Sequence, residues 1–510
     1  LRDLWSGSLI LSWLAFEALL PIVEEVGPAA VIFPYLRGNP LLDRWLRRRP
    51  GLAAKIPAPP QQDCARPSLP NRFLALVPAT EATDLARRCE EAAHTAWRRL
   101  AREVRQRLDL EVGEFTSWDA LWQQQIDQFW EIRSSVLPYS RAISSDDELA
   151  GFSGARTFGE AWPEAARIRD LADLIPAAER PGYDQQHAGR WQATVDLAAR
   201  ALEARRAIRH VPKNSPRADG PVAQKCALLG TVERMGPAEF NQNRAFWETL
   251  SAATDLGARL RPGEAFSALA LTKRFALPVY LADELGIGRH QRFPDTATVA
   301  ARLWLQQSEL YWPGDANGQW LYWRRPDQDD NEQPVPPKLW DLIQDARDKH
   351  GWPPAYLAVL VMDGDHMGKW LRGEMNPFIG EALHPKMRSY FENIQGAATL
   401  KEARRPVGPA LHAAISEALT NFAAHIAPAI VGRHQGDLIY AGGDDLLALL
   451  PTETAIGCAK ALNNAFAAND GYSPDETGRD LLVMGRRATV SAGIAVVHHK
   501  EDLRVALGLA

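Results

Sequence analysis

The sequence predicts an α+β protein in which two related ferredoxin-like (βαββαβ) domains flank a mostly helical one. Three observations predict it. Apolar runs of strand length, bounded by Pro and Gly, gather near the two ends of the chain. Long stretches of helical periodicity lie beside each group of strands. In between, helical pattern alternates with Pro/Gly/Asp-rich connections. At 510 residues the chain is too long for one core, and roughly three domains is the starting expectation.

The first domain is placed at 1–139. It reads as a helix over 9–26, a strand at 30–33 closed by Pro34, a strand at 72–77 between Pro70 and Pro78, and a long Arg- and Glu-rich helix over 83–108. Such a charged helix presents one apolar stripe and a solvated face. The helical middle domain is placed at 140–345, with 210–220 and 326–337 as loops. The last domain, 346–510, opens on a continuous apolar strand, 355–362. A helix at 411–426 follows, then strands at 437–440 and 446–450 joined by Ala441-Gly442-Gly443-Asp444-Asp445, a helix at 454–468 and a closing strand at 488–497. That order is β-α-β-β-α-β.

Bulk properties narrow the function classes. The net charge of −5 argues against a generally basic nucleic-acid coat, although a local basic groove depends on placement. Arg44, Arg47, Arg48 and Arg49, and Arg205, Arg206 and Arg209, are the clusters that could meet phosphates; a basic run is more often a solvated face. Cys64, Cys89, Cys226 and Cys458 are far apart with no C-x-x-C pair, which points to reduced thiols and a cytoplasmic setting. The apolar run 9–23 is interrupted by Glu17 and closed by Glu24 and Glu25, so no membrane span is expected. The chain shows no basic-then-apolar leader and begins on Leu1, which reads as a missing amino terminus.

Two acidic motifs carry the chemistry. Met362-Asp363-Gly364-Asp365-His366-Met367-Gly368 ends an apolar strand, and Gly442-Gly443-Asp444-Asp445 occupies a hairpin turn. In a βαββαβ sheet the first strand lies beside that hairpin, so Asp363 comes close to Asp444 and Asp445. Three adjacent carboxylates repel one another unless cations sit between them, and oxygen-only ligands select Mg²⁺ or Mn²⁺. Gly442 and Gly443 permit a tight turn and a close backbone approach to phosphate, and Gly364 gives the same access beside Asp363. Either motif alone is an ordinary acidic turn; together at strand ends in this order they make a metal site. His366 reads as a structural neighbour, and Lys369 as a solvated lysine or a triphosphate contact.

On these residues the last domain resembles the second palm of the large subunit of the type III-B (Cmr) CRISPR effector complex. The resemblance runs through 360–370, His412 to Ser416, Gly436 to Pro451, and Ser491-Ala492-Gly493-Ile494. The amino-terminal part is similar to the first palm, through Arg2-Asp3-Leu4-Trp5-Ser6-Gly7-Ser8, Ile32-Phe33-Pro34 and Leu69-Pro70-Asn71-Arg72-Phe73. The resemblance implies a nucleotidyl-cyclase palm that converts ATP into cyclic oligoadenylates when the ribonucleoprotein pairs its CRISPR RNA with a target RNA. It implies metal on Asp363, Asp444 and Asp445, nucleotide beside Gly364, Asp365, Gly442, Gly443 and Ser416, and Ser8 as the counterpart of Ser416 on the first palm. A serine early in a helix is equally a cap or a core hydroxyl. It also implies neighbouring Cmr-type subunits as partners.

The sequence departs from the family where a middle-domain zinc site is usual. Cys226-Ala227-Leu228-Leu229-Gly230 and Glu264 to Ala270 retain the context within 226–275 but only one thiolate. One thiolate cannot hold structural zinc, so none is expected. A leading His-Asp nuclease domain, a first β-strand and a carboxy-terminal helical domain are expected to lie outside this chain. Two other functions compete: a scaffold subunit binding CRISPR RNA and partner subunits, with minor catalysis, and a GTP-using cyclic-dinucleotide cyclase. The second places Glu and Phe after Gly-Gly-Asp, whereas Asp445 and Leu446 follow here.

Overall fold

The computed structural model describes residues 2–113, 119–139, 145–176, 178, 189–208, 224–237, 239–253, 260, 263–289, 294–314, 316–329, 334–394 and 398–510. The 210–220 loop and Arg209 lie outside the described residues, as does part of the 326–337 loop.

The amino-terminal part opens with α1 (Arg2–Glu25), which starts well before the expected 9–26. Strand β1 (Val31–Phe33), helix α2 (Pro40–Arg47), strand β2 (Leu74–Ala75) and the long helix α3 (Ala82–Val112) follow. The two strands expected here are present, and β1 and β2 pair antiparallel as a two-stranded ladder. Helix α1 buries Trp5, Leu9, Trp13, Phe16, Leu19 and Ile22 on most of its circumference, and α3 fills one side with Trp97, Leu100 and Val104. By length and composition 3–25 and 409–433 are apolar enough to cross a membrane, but two thirds of each window is buried against the rest of the chain.

In the middle of the chain the named elements among the described residues are helices, including α4 (Arg190–Ala207), α5 (Ala268–Ala276), α6 (Thr296–Gln307) and α7 (Pro337–His350). Phe266, just before α5, and Leu271 and Phe275 on it join the same core as α1 and α3. Burial therefore ties 226–287 to the amino-terminal helices. Cys226 is buried and its Sγ lies 3.4 Å from the Leu229 backbone nitrogen.

From β3 (Tyr356–Gly364) the chain builds the expected order. Helix α8 (Pro409–Asn421) continues through a widened turn to Arg433. Then come β4 (Asp437–Gly442), β5 (Asp445–Pro451), α9 (Thr452–Phe466), a small hairpin of β6 (Tyr472–Pro474) and β7 (Asp480–Leu482), β8 (Val490–His498) and α10 (Leu503–Leu509). The sheet order is β4-β5-β3-β8, all neighbours antiparallel, which is the split βαβ arrangement. The continuous apolar run of β3 has a physical cause in its two buried faces. Ala358, Leu360 and Met362 face α8 and α9, while Leu357 and Val359 face a second core with Val299 and Ala300 of α6 and Leu4 of α1.

Two contacts fix the outer strand of this sheet. Ala441 N donates to Pro67 O at 3.2 Å. Arg302 of α6 donates to Gln435 O at 2.7 Å and to Asp437 Oδ2 at 2.6 Å. Burial raises the Asp437 carboxyl and the guanidinium opposes it. Removing one partner of such a pair leaves the other charge buried. Arg302→Ala is expected to cost about 3 kcal/mol, read as a lower urea midpoint; an unchanged midpoint would refute it.

Candidate active site

Strand register sets the site. The β3–β5 ladder ends at Met362 opposite Leu446, so the next rung carries Asp363 beside Asp445. Side chains alternate along a strand, so 363 and 445 project from one face of the sheet, the face away from α8 and α9. Gly442 pairs with Asp445, leaving Gly443 and Asp444 as the turn. Gly443 has φ +69, the left-handed region that favours glycine. A Cβ there would sit 3.5 Å from the Phe33 ring of β1, so the acidic turn abuts the amino-terminal part.

The three acids interact. The Asp445 carboxyl is pushed up to about 6 by burial, then by the charge of Asp444, then by a hydrogen bond and charge from Asp363. Burial and the Asp363 charge also raise Asp444. Among the described residues no three His, Cys, Asp or Glu side chains are disposed as a ready metal cage. Asp363 acts on Asp444, and both act on Asp445, as like charges.

The other predicted residues fall into distinct places. Gly364 is buried and packed under Asp444: a Cβ on it would lie 2.7 Å from Asp444 Cβ and 3.1 Å from Met367 Cγ. Its lack of a side chain thus makes room for the acid. A Cβ on Gly442 would meet the Tyr440 hydroxyl at 2.3 Å. Asp365 turns to β8, accepting hydrogen bonds from Thr489 Oγ1 at 2.5 Å and Ser491 Oγ at 2.6 Å, which hold its carboxyl below the usual range. His366 adopts φ +60 before the short helix Met367–Leu371, on which Lys369 is exposed.

The two serines differ. Ser8 Oγ donates to Leu4 O at 3.4 Å, one turn back in α1. Ser416 on α8 is buried and its hydroxyl has no hydrogen-bond partner among the described residues. One turn earlier, His412 is also buried with Nδ1 unpartnered. Burial drives its pKa down to about 4, and its ring meets Trp191 of α4 edge-on at 6.0 Å. Helix α1 packs near β4 and α8 on β1.

Sequence reasoning missed Tyr440 and the Thr489–Ser491 bracket. Tyr440 sits under the turn, its phenol raised by burial and by Asp445 and Asp444. Its position two residues before the glycine pair was the available signal. The basic clusters are engaged within the chain. Arg44 donates to Glu284 O and Asp283 O, Arg47 to Ala53 O and Ile56 O, and Arg48 and Arg49 pair with Glu284 and Glu24. Arg205 donates to Ser134 O and Arg206 pairs with Glu203.

The Asp445 shift predicts a pH dependence. Its folded pKa lies above the unfolded value of about 3.9, so its stabilising contribution is full below that value and lost as pH rises through about 6. In chelator, the wild type is expected to lose more melting temperature between pH 5 and 7.5 than Asp445→Asn. Equal pH slopes would contradict this coupling.

Comparison with known proteins agrees with the geometry. The family model "Cas10/Cmr2, second palm domain" matches residues 356–510, and "CRISPR-associated protein Cmr2, N-terminal" matches 1–102. The CRISPR system Cmr subunit Cmr2 of Pyrococcus furiosus is 25% identical over 554 aligned residues, taking in 99% of this chain and 56% of the relative. The Saccharolobus solfataricus CRISPR system CMR subunit Cmr2 is 44% identical over 96 residues, 19% of this chain and 8% of the relative. In fold, the chain is similar to one from the apo type III-B Cmr-beta structure, with TM-score 0.58 and 14% identity over 99% of this chain and 64% of that one. It is also similar to one from Cmr-beta bound to cognate target RNA, with TM-score 0.55, 15% identity, and coverage of 100% and 65%. The chain spans little more than half the length of the Pyrococcus relative. With a Cmr2 model matching at each end and a Cmr2 relative aligned along nearly all of it, the chain belongs to the Cas10/Cmr2 family.

Proposed function

We propose that this chain is the nucleotidyl-transferring large subunit of a type III-B CRISPR effector, making cyclic oligoadenylates from ATP when the complex holds a target RNA. One observation carries the reading: Asp363, Asp444 and Asp445 are coupled at the ends of adjacent strands, with glycine under and between them. In the reaction a ribose 3′-hydroxyl attacks the α-phosphorus of a second ATP, a 3′–5′ phosphodiester forms, and pyrophosphate leaves.

The acids fit a hard cation, since all three donors are carboxylates and two are held above their ordinary pKa by burial and mutual charge. Mg²⁺ or Mn²⁺ held by Asp363, Asp444 and Asp445 would supply activation of the hydroxyl and charge relief on the leaving group. The protein's own contribution is positional. Gly443 lets the turn present both aspartates, and Asp365, fixed by Thr489 and Ser491, holds the strand end against β8. Ser416, buried with a spare hydroxyl, supplies a polar contact for one nucleotide. Ser8, already bonded to its own helix, is the less available of the pair. The amino-terminal α/β part acts as the first palm, and CRISPR RNA, target RNA and Cmr-type subunits are the partners.

The middle segment is proposed to carry no zinc, with Leu229 and Ala270 in its place. Elemental analysis is expected to find none, and one zinc per chain would refute this. The test of the function is product formation by the assembled complex with ATP, Mg²⁺ or Mn²⁺ and target RNA. Target-dependent oligoadenylate supports it; intact RNA binding with no product under either metal favours the scaffold.

A further inference from the structure

Helix α7 carries a buried cation that meets no counter-charge among the described residues. Arg347 is 6% exposed. Its guanidinium stacks over the Trp352 ring at 3.9 Å and lies 5.5 Å from that of Trp340. Its Nη2 donates a long hydrogen bond to Trp320 O at 3.3 Å. Nε has no partner, and among the described residues no carboxylate pairs with it. Burial lowers its pKa to about 10 with no opposing charge. Isolated buried charges are normally paired.

The surroundings repeat the pattern. Trp312 Nε1, Trp320 Nε1 and Gln344 Nε2 are also buried without partners. Gln344 lies one turn before Arg347 on the same face of α7 as Trp340. Trp312, Trp320 and Trp340 pack on one small core of Trp304, Leu321, Ile343 and Ala346. Every unpartnered atom in this group is a donor, so the cradle lacks an acceptor. Trp352, on which the guanidinium stacks, is 54% exposed, and Tyr311, next in the chain to Trp312, is 82% exposed. Arginine framed by tryptophan is the composition of a binding hot spot. The solvent face of α7 carries Asp341, Asp345 and Asp348, which repel a polyanion but leave room for one carboxylate among apolar groups. That charge pattern favours protein over RNA.

We propose that the Arg347 cradle is a docking site for another protein subunit, which brings a single Asp, Glu or terminal carboxylate to the guanidinium at its exposed Trp352 edge. The proposal rests on the multisubunit reading given above. Its test uses the chain assembled with guide RNA and Cmr-type subunits, with Tyr311 replaced by the photo-crosslinker p-benzoylphenylalanine. The expected result is a cross-link to an acidic peptide of a neighbouring subunit. Arg347→Met should weaken that subunit's binding by about 30-fold. Neutralising the partner's carboxylate should do the same, with no further loss in the double variant. Arg347→Met should leave the melting temperature of the free chain unchanged or higher, whereas a merely structural arginine would lower it. A cross-link to RNA, no cross-link in an assembled complex, or a yield indifferent to Arg347→Met overturns the proposal. Co-elution of guide RNA and subunits, checked beforehand, separates failure of assembly from failure of this site.

Discussion

Asp444→Ala/Asp445→Ala is expected to lower oligoadenylate formation by about three orders of magnitude, because charge stabilisation worth several kcal/mol is removed at once. Two further readouts give this variant its force. The metal-free protein should melt at the same temperature or slightly higher, since it loses carboxylates that repel one another and sit partly buried. The rise in melting temperature on adding Mn²⁺ should vanish. Lost activity with a retained Mn²⁺ response would mean that the metal binds elsewhere, and the acidic turn would then serve only to shape the strand ends. A variant that keeps product formation would remove these residues from the chemistry altogether.

Gly364→Ala is expected to cost about 100-fold in activity without unfolding the chain. The added methyl would stand 2.7 Å from Asp444 Cβ and 3.2 Å from Asp444 Oδ2. A Cβ is anchored to the backbone and cannot swing aside, so the turn itself must shift, and displacements near 1 Å are worth about that factor. Gly432→Ala is the matched control. It lies within the helix Ala427–Arg433 with nothing within 4 Å of its added carbon, and it should leave activity unchanged while raising stability by about 0.5–1 kcal/mol. Equal behaviour of the two variants would show that the crowding at Gly364 is relieved elsewhere.

The palm was legible because its strands announce themselves twice. Residues 357–362 form an apolar run buried on both faces, and the Gly442-Gly443 pair marks a turn that only a hairpin needs. Asp363 and Asp445 could be placed on neighbouring strands from strand order alone. What stayed hidden depends on contacts between distant residues. The hold on Asp365 comes from Thr489 and Ser491, more than 120 positions away. Arg44 of α2 and Arg48 just after it donate to the Glu284 carbonyl, and no local charge pattern separates such a staple from a phosphate contact. The strand signals at 30–33 and 72–77 mark the β1–β2 ladder, whereas the helices gathered around the apolar circumference of α1 answer a tertiary demand invisible in a short window.

The hydrogen bond from Ala441 to Pro67 has a practical corollary. Strand β4 is the last in its sheet, and a terminal strand with free amides is a template for unwanted pairing. Here a backbone carbonyl from the amino-terminal part takes up one of those amides, and Phe33 covers the turn beside it. A fragment cut at the start of the palm would present that border uncapped, together with the apolar surface that normally meets β1. Such a piece would tend to associate with itself, and its inactivity would say nothing about the chemistry of its aspartates.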